Sequence, residues 1–220
     1  MKFISQMIYG LLEGNQTHLS EIARSLKENI TIKKTIDRLS RNLNHFEDAD
    51  ILMSNYISEV KCHMKDDYSV LIIDNSDITK PCSKKLEALS DVRDGSTGEI
   101  VTGYQTIEAA VLTSNGKMPL PVYEKVFSAA EPDFVSETYE NLQCLNSLSE
   151  NFGSKCIRTL DRGYDARDYY RYFLKKNERF IIRAKKNRNV IYHGKIMNIL
   201  DVANKPELFM KNCQMVLHTA

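Results

Sequence analysis

The chain has 220 residues, 27% charged and 42% hydrophobic, which is long enough to bury a core and too apolar for global disorder. Its net charge of +1 marks neither a nucleic-acid binder nor a membrane-surface protein, so any electrostatic signal lies in how the charges are distributed. Five widely spaced cysteines without a CxxC pair argue against a disulfide framework or a zinc site and fit a reducing cytosol.

The opening MKFISQMIYGLLEG is too short and interrupted for a signal peptide, and no run reaches the length of a membrane span, so a cytoplasmic protein is expected. Phe3, Ile4, Met7, Ile8, Leu11 and Leu12 recur at helical spacing up to Gly14-Asn15. A second helix is predicted over His18 to Lys27. A third follows over Thr31 to Leu43, after the short linker Glu28-Asn29-Ile30. Two short helices joined this closely suggest a helix-turn-helix, and the third helix carries Lys33, Lys34, Arg38 and Arg41 as a DNA-reading helix would. Spacing alone fits a DNA reader and a plain αα-hairpin equally. Helical periodicity continues from Asp48 to His63, which places a domain boundary after residue 62.

From Tyr68 the pattern turns to strands: Val70 to Asp74, Ile100 to Thr113 and Leu120 to Phe127, with Ser114-Asn-Gly116 as the hairpin turn between the last two. Asn75 to Glu99 reads as one long loop, and a loop of that length is either functional or a misassignment. Its Lys80, Lys84, Lys85 and Arg93 suit a phosphate-facing role. An amphipathic helix capped by Ser136 runs to Asn151. It is followed by a strand over Lys155 to Asp161, a helix over Asp165 to Lys176, and strands over Arg179 to Ala184 and Val190 to His193. The tail from Ile199 shows no clear pattern. A meander followed by alternating helices and strands gives a mixed sheet with flanking helices.

Two aspartates stand out, because Asp74 in VLIIDNSD and Asp161 in CIRTLDRGYD each close an apolar run. Carboxyl ends of strands are where open α/β sheets bind ligands. Two carboxylates on neighbouring strands can share divalent cations, since Mg²⁺ takes a few carboxylates together with phosphate oxygens. The bland alternative for each aspartate is a turn former or helix N-cap. Asp77 competes as the first carboxylate but lies beyond the apolar run. Between Arg158 and Arg188 eleven basic residues face four acidic ones, a local +7 that attracts phosphate unless it is only a solvated helix face. Arg162, Arg183, Lys185 and Lys186 fall near the strand ends and are the phosphate candidates there.

Four stretches resemble bacterial insertion-sequence transposases of the DDE type, and look most like insertion-sequence family four. They are Ile72 to Lys80; Asp94-Gly-Ser-Thr-Gly98 leading into Gly103-Tyr104; Pro119 to Phe127; and Leu160-Asp-Arg-Gly-Tyr164 with Asn177 to Lys185. They span roughly residues 70–188 in family order. The resemblance implies a ribonuclease-H-like catalytic core over 63–220 behind a DNA-end-binding domain over 1–62. It further implies cut-and-paste DNA transposition with Mg²⁺ or Mn²⁺ held by Asp74 and Asp161, and transposon-end DNA as partner. A dimer with itself or with a full-length transposase would also be implied. The family's third ligand, a glutamate in a tyrosine–arginine–glutamate–lysine signature, has no counterpart here. Glu178 precedes a strand and Glu207 follows Lys205-Pro206, so neither is a convincing substitute. The expectation is therefore an incomplete transposase, inactive as this chain alone. The alternative is a non-catalytic DNA-binding remnant that represses transposition.

Overall fold

The computed structural model describes residues 2–64, 69–83, 85–113 and 118–205. The chain divides into two compact units, Met1–Ser58 and Glu59–Ala220. The first holds α1 (Lys2–Gly14), α2 (Leu19–Ser25), α3 (Ile32–Asn44) and most of α4 (Ala49–Cys62). Its core is Ile22, Ala23 and Leu39, with Phe3, Met7, Leu19, Leu26 and Ile36 packed around them. Of the α1 positions picked out by helical spacing, Phe3 and Met7 pack here while Ile8, Leu11 and Leu12 are exposed. Full burial of one aliphatic side chain stabilises by about 1.5–3 kcal/mol. Gly10 lets α1 approach α2, because a Cβ there would come within 2.4 Å of Ile22 Cγ2.

The second unit is built on a six-stranded mixed sheet of β1 (Val70–Thr79), β2 (Ser90–Arg93), β3 (Ile100–Leu112), β4 (Pro119–Phe127), β5 (Ile157–Leu160) and β6 (Arg179–Ile182). β3 lies antiparallel to β1 along one edge. Along its other edge β2 pairs with its first four residues and β4 with the rest. On the far side of β1, β5 and β6 follow in parallel. A three-strand meander with two parallel strands added beside its first member is the strand order of a ribonuclease-H-like sheet. Gly103 is the tightest point, where a Cβ would meet the Ile78 carbonyl oxygen at 2.3 Å, so β1 and β3 close there only with glycine.

α5 (Glu137–Phe152) and α6 (Arg167–Lys176) cover one face of this sheet. Ser136 caps α5, its hydroxyl accepting from the Tyr139 amide at 3.1 Å, as the sequence predicts. Phe173 of α6 stacks on Phe180 of β6 at 4.8 Å between ring centroids. On the opposite face Ile72, Val126 and Ile181 stand exposed. Beyond β6, β7 (Asn189–Tyr192) and β8 (Lys195–Asn198) form a separate hairpin, followed by α7 (Ile199–Ala203). Val190, Tyr192 and Val202 make a small core there.

Three sequence expectations need correction. β1 does not end at Asp74 but runs on to Thr79, because the thirteen-residue β3 offers a continuous ladder from Gly103 to Val111. The stretch from Asn75 to Glu99 is therefore not one loop: its first five residues belong to β1, and Ser90–Arg93 form the unpredicted strand β2. The tail is not patternless, since α7 begins at Ile199 with Asn198 as its cap. The Ser114-Asn-Gly116 turn, Lys84 and Glu207 lie outside the described residues.

Candidate metal and nucleic-acid site

The parallel ladder between β1 and β5 ends at Ile73 opposite Leu160, and the ladder between β5 and β6 ends at Leu160 opposite Ile182. The next residue on each strand is Asp74, Asp161 and Arg183. These three therefore line up side by side at the carboxyl end of the parallel strands. On the other side of Asp74, antiparallel pairing sets Glu108 directly opposite it and Glu124 opposite Glu108. Directly paired residues share a face, so four acids and one arginine cross the sheet in a single row. A recess of about 280 Å³ on this face is lined by Asp74, Glu108, Tyr123 and Glu124, among others.

The row has an electrostatic cost. Partial burial pushes the Asp74 carboxyl above its usual range, and the charges of Asp161 and then Glu108 push it further. The Asn75 amide, 3.0 Å from Asp74 Oδ1, opposes this only in part. Like charges crowded in this way favour a proton or a cation between them. Asp161 also accepts from the Gly163 amide at 2.7 Å and so caps the 3-10 turn Arg162–Tyr164. The N-cap alternative for Asp161 is thus real and coexists with its place beside Asp74. Among the described residues no group of three or more His, Cys, Asp or Glu side chains is arranged to hold a metal ion. Two carboxylates at adjacent strand ends are a donor set that would suit a cation keeping water or phosphate oxygens in its shell.

A polar network that sequence reasoning missed links the segments that follow the two aspartates. Tyr164, three residues after Asp161, is buried with its hydroxyl against Asn75 Oδ1 and, at 2.9 Å, against Asn141 Oδ1. Asn141 Nδ2 in turn donates to the Tyr169 hydroxyl at 3.1 Å, and Asn75 Nδ2 donates to Glu137 at 2.9 Å. The residue after Asp74 and the turn after Asp161 are thereby tied to the same helix, α5. Tyrosine after a strand-end Asp-Arg-Gly was the available signal, but its partners lie on other elements.

The remaining candidates divide. Arg162, Arg183, Lys185 and Lys186 are exposed, and the last three follow β6 at the Asp161 end of the sheet. Lys80 is exposed where β1 ends, its amide bonded to the Thr102 carbonyl at 2.7 Å. Asp77 accepts from the Gly95 amide at 3.0 Å and serves the turn before β3. Two arginines of the basic segment are used internally. Arg158 is fully buried against Glu178, and Arg188 pairs with buried Asp165 at 2.7 Å. Glu178 stands just before β6, at the opposite end of the parallel strands from Asp161, which removes it as a third carboxylate.

In the helical unit Lys33, Lys34 and Arg41 are exposed along α3. Arg38 departs from the expected basic face. Its guanidinium bonds both Glu28 oxygens at 2.8 and 2.7 Å and Gln6 at 2.8 Å, and that contact holds the Glu28 carboxyl below its usual range. It pins the linker between α2 and α3 instead of standing free for phosphate.

A cryo-EM structure of a piggyBac transposase synaptic complex with hairpin DNA is similar to 96% of this chain at 12% identity, with a TM-score of 0.44. The chain spans 43% of that transposase chain. No protein-family model and no curated protein matches the sequence.

Proposed function

We propose that this chain belongs to a DDE-type DNA transposase of the insertion-sequence family-four kind, with Asp74 and Asp161 as its first two metal ligands. The observation that carries this reading is the placement of the two aspartates at neighbouring parallel strand ends, close enough for one charge to disfavour ionisation of the other. Mg²⁺ or Mn²⁺ bound there would activate a water or 3′-hydroxyl and stabilise the leaving oxygen of a phosphodiester. The chain's own part is to hold the two carboxylates in register and present Arg162, Arg183, Lys185 and Lys186 to the DNA backbone. Lys80 and, in the helical unit, Lys33, Lys34 and Arg41 add phosphate contacts.

The test is Mn²⁺ binding followed by electron paramagnetic resonance, together with retention of labelled DNA from the sequence flanking this gene. Asp74→Ala and Asp161→Ala should each abolish ion binding while leaving DNA retention in place. Unchanged ion binding in both variants would end the reading.

A second reading rests on the exposed Lys33, Lys34 and Arg41 of α3, which a DNA binder can use without any metal. In it the chain occupies transposon ends without cutting them and represses movement, alone or paired with a full-length copy. Incubation with end DNA and Mn²⁺ separates the two. Clean 3′ nicking abolished by Asp74→Ala selects the enzyme, and retention without nicking selects the repressor.

A further inference from the structure

The loop 183–188, which follows β6, reads Arg-Ala-Lys-Lys-Asn-Arg. It carries four cations and a single methyl side chain, so it has no apolar core of its own and its charges repel one another. Its far end is tied by Asn198 Nδ2 donating to the Lys186 carbonyl at 3.0 Å and by the Ile199 amide donating to the Arg188 carbonyl at 2.8 Å. Its centre is gripped by one buried carboxylate from another segment. Asp165 is 1% exposed, and its Oδ2 accepts from the Lys185 amide at 2.6 Å and from Arg188 Nε at 3.3 Å. Its Oδ1 accepts from the Tyr170 hydroxyl at 2.7 Å and pairs with the second arm of the Arg188 guanidinium, also at 2.7 Å. The same guanidinium donates to the Asp165 main-chain carbonyl at 2.7 Å. On the β5 side the Arg183 amide reaches the Leu160 carbonyl at 3.2 Å. Lys185 and Lys186 keep exposed side chains throughout.

We propose that Asp165 is a positioning residue for DNA binding: its carboxylate fixes the loop 183–188 at the Asp161 end of the sheet, so that Lys185 and Lys186 meet the DNA backbone together. The inference rests on the reading of this end as a DNA-facing site. Its physical basis is a division of labour within the loop. Arg188 gives its charge to Asp165, which relieves the repulsion among the four cations. The carboxylate also fixes the backbone at Lys185, between the two strand-end residues and the arginine fork. Charged groups that are already in place lose less freedom when they bind, so the cost of ordering the lysines is met on folding instead of on association. Asp165 comes only four residues after Asp161, so one short segment supplies both a carboxylate of the aspartate pair and the anchor of the basic loop.

The experiment is a fluorescence-anisotropy titration of the full chain with a labelled DNA duplex across a series of KCl concentrations. Lys185→Gln/Lys186→Gln should lower the salt slope by about 0.9 for each phosphate left without its lysine. Asp165→Asn, with both lysines intact, should lower it by a similar amount, and adding it to the lysine variant should cause little further change. General destabilisation would reduce the binding-competent fraction without altering the slope, so the slope separates positioning from mere structure. Arg188→Lys keeps the charge and removes the fork. It should lower the slope partially, and it serves as the test if Asp165→Asn does not fold by circular dichroism. A wild-type slope in folded Asp165→Asn or in Arg188→Lys overturns the proposal while the DNA-facing reading survives. A wild-type slope in the lysine variant overturns that reading at this loop, and the proposal with it.

Discussion

Strand β5 carries a charged residue near each end, and the two behave oppositely. At the amino end Arg158 is fully buried. It donates to the carbonyls of Cys156 and Gly153 at 2.9 and 2.6 Å and pairs with Glu178 at 3.3 Å. At the carboxyl end Asp161 is exposed beside Asp74, another acid. The first pair is opposite in charge and lies within the fold. The second is alike in charge and faces solvent, and the charge of Asp161 adds to the burial that disfavours ionisation of Asp74. A fold under selection for stability alone has no use for the second arrangement. Strain of this kind at a strand end is the expected mark of a binding site.

The largest expected effect tests the buried end. Arg158→Ala or Glu178→Ala alone leaves one uncompensated charge in the interior and should destabilise the sheet unit by about 3–5 kcal/mol in urea unfolding. The double change to apolar residues, Arg158→Met with Glu178→Leu, should be far milder, because Arg158 Nε and Glu178 Oε2 already lack hydrogen-bond partners. A double variant as damaged as the singles would mean that the pair holds the strand ends together beyond its own desolvation.

Next comes the link between the two aspartates. Tyr164→Phe removes a buried hydroxyl and leaves oxygens of Asn75 and Asn141 without that donor, at a cost of about 1–3 kcal/mol. If the network fixes the register of Asp74 and Asp161, the variant should also bind Mn²⁺ more weakly. Reduced stability with unchanged ion affinity would confine Tyr164 to packing.

The exposed end should respond with the opposite sign. The Asp74 carboxyl is raised in the folded state, so its contribution to stability is full below the unfolded pKa and is lost as pH rises through the folded value. At pH 7 the ionised group therefore works against folding, and Asp74→Asn should raise Tm, by less than about 4 °C since the group is partly solvated. The gain should fade as pH falls toward the ordinary carboxylate range. A Tm that drops on substitution at pH 7 would show that Asp74 stabilises the fold and would weaken the case for a site.

How much of this was legible depended on how local the cause was. The α5 cap, the existence of α1 to α3 and the strands bearing the two aspartates follow from spacing within a few residues, whereas Ile8, Leu11 and Leu12 of α1 share the apolar spacing and are exposed. The continuation of β1 did not follow, because Asn75-Ser-Asp-Ile-Thr79 looks like a loop until the length of β3 is known. In the sequence Asp165 is one of four acids in a basic segment, and Glu178 is a poor substitute for a third metal ligand. Their partners Arg188 and Arg158 lie some twenty residues away, and pairing at that separation leaves no local pattern. The same blindness made the basic segment seem more available to phosphate than it is. Glu108 escaped notice because only strand pairing brings it opposite Asp74.

The smallest effect on stability belongs to the helical unit and separates its two kinds of base. Lys33, Lys34 and Arg41 are exposed on α3, whereas Arg38 ties Glu28 and Gln6 together. Replacing the first three with Gln should leave Tm nearly unchanged, since exposed charges contribute little to stability. The salt slope of DNA binding should nonetheless fall by about 0.9 for each of the three that touches phosphate. Arg38→Gln should do the reverse, loosening the linker between α2 and α3 and lowering Tm with little change in slope. The Glu28 carboxyl, held low by Arg38, adds a check through pH. Its contribution is present above the unfolded pKa and disappears as pH falls through the folded one, so the Tm difference between wild type and Arg38→Gln should shrink in acid. If Arg38→Gln flattens the slope as much as the triple variant does, the ion pair opens on binding DNA and Arg38 rejoins the phosphate contacts. If neither variant changes the slope, α3 is a solvated helix and DNA binding belongs to the sheet unit alone.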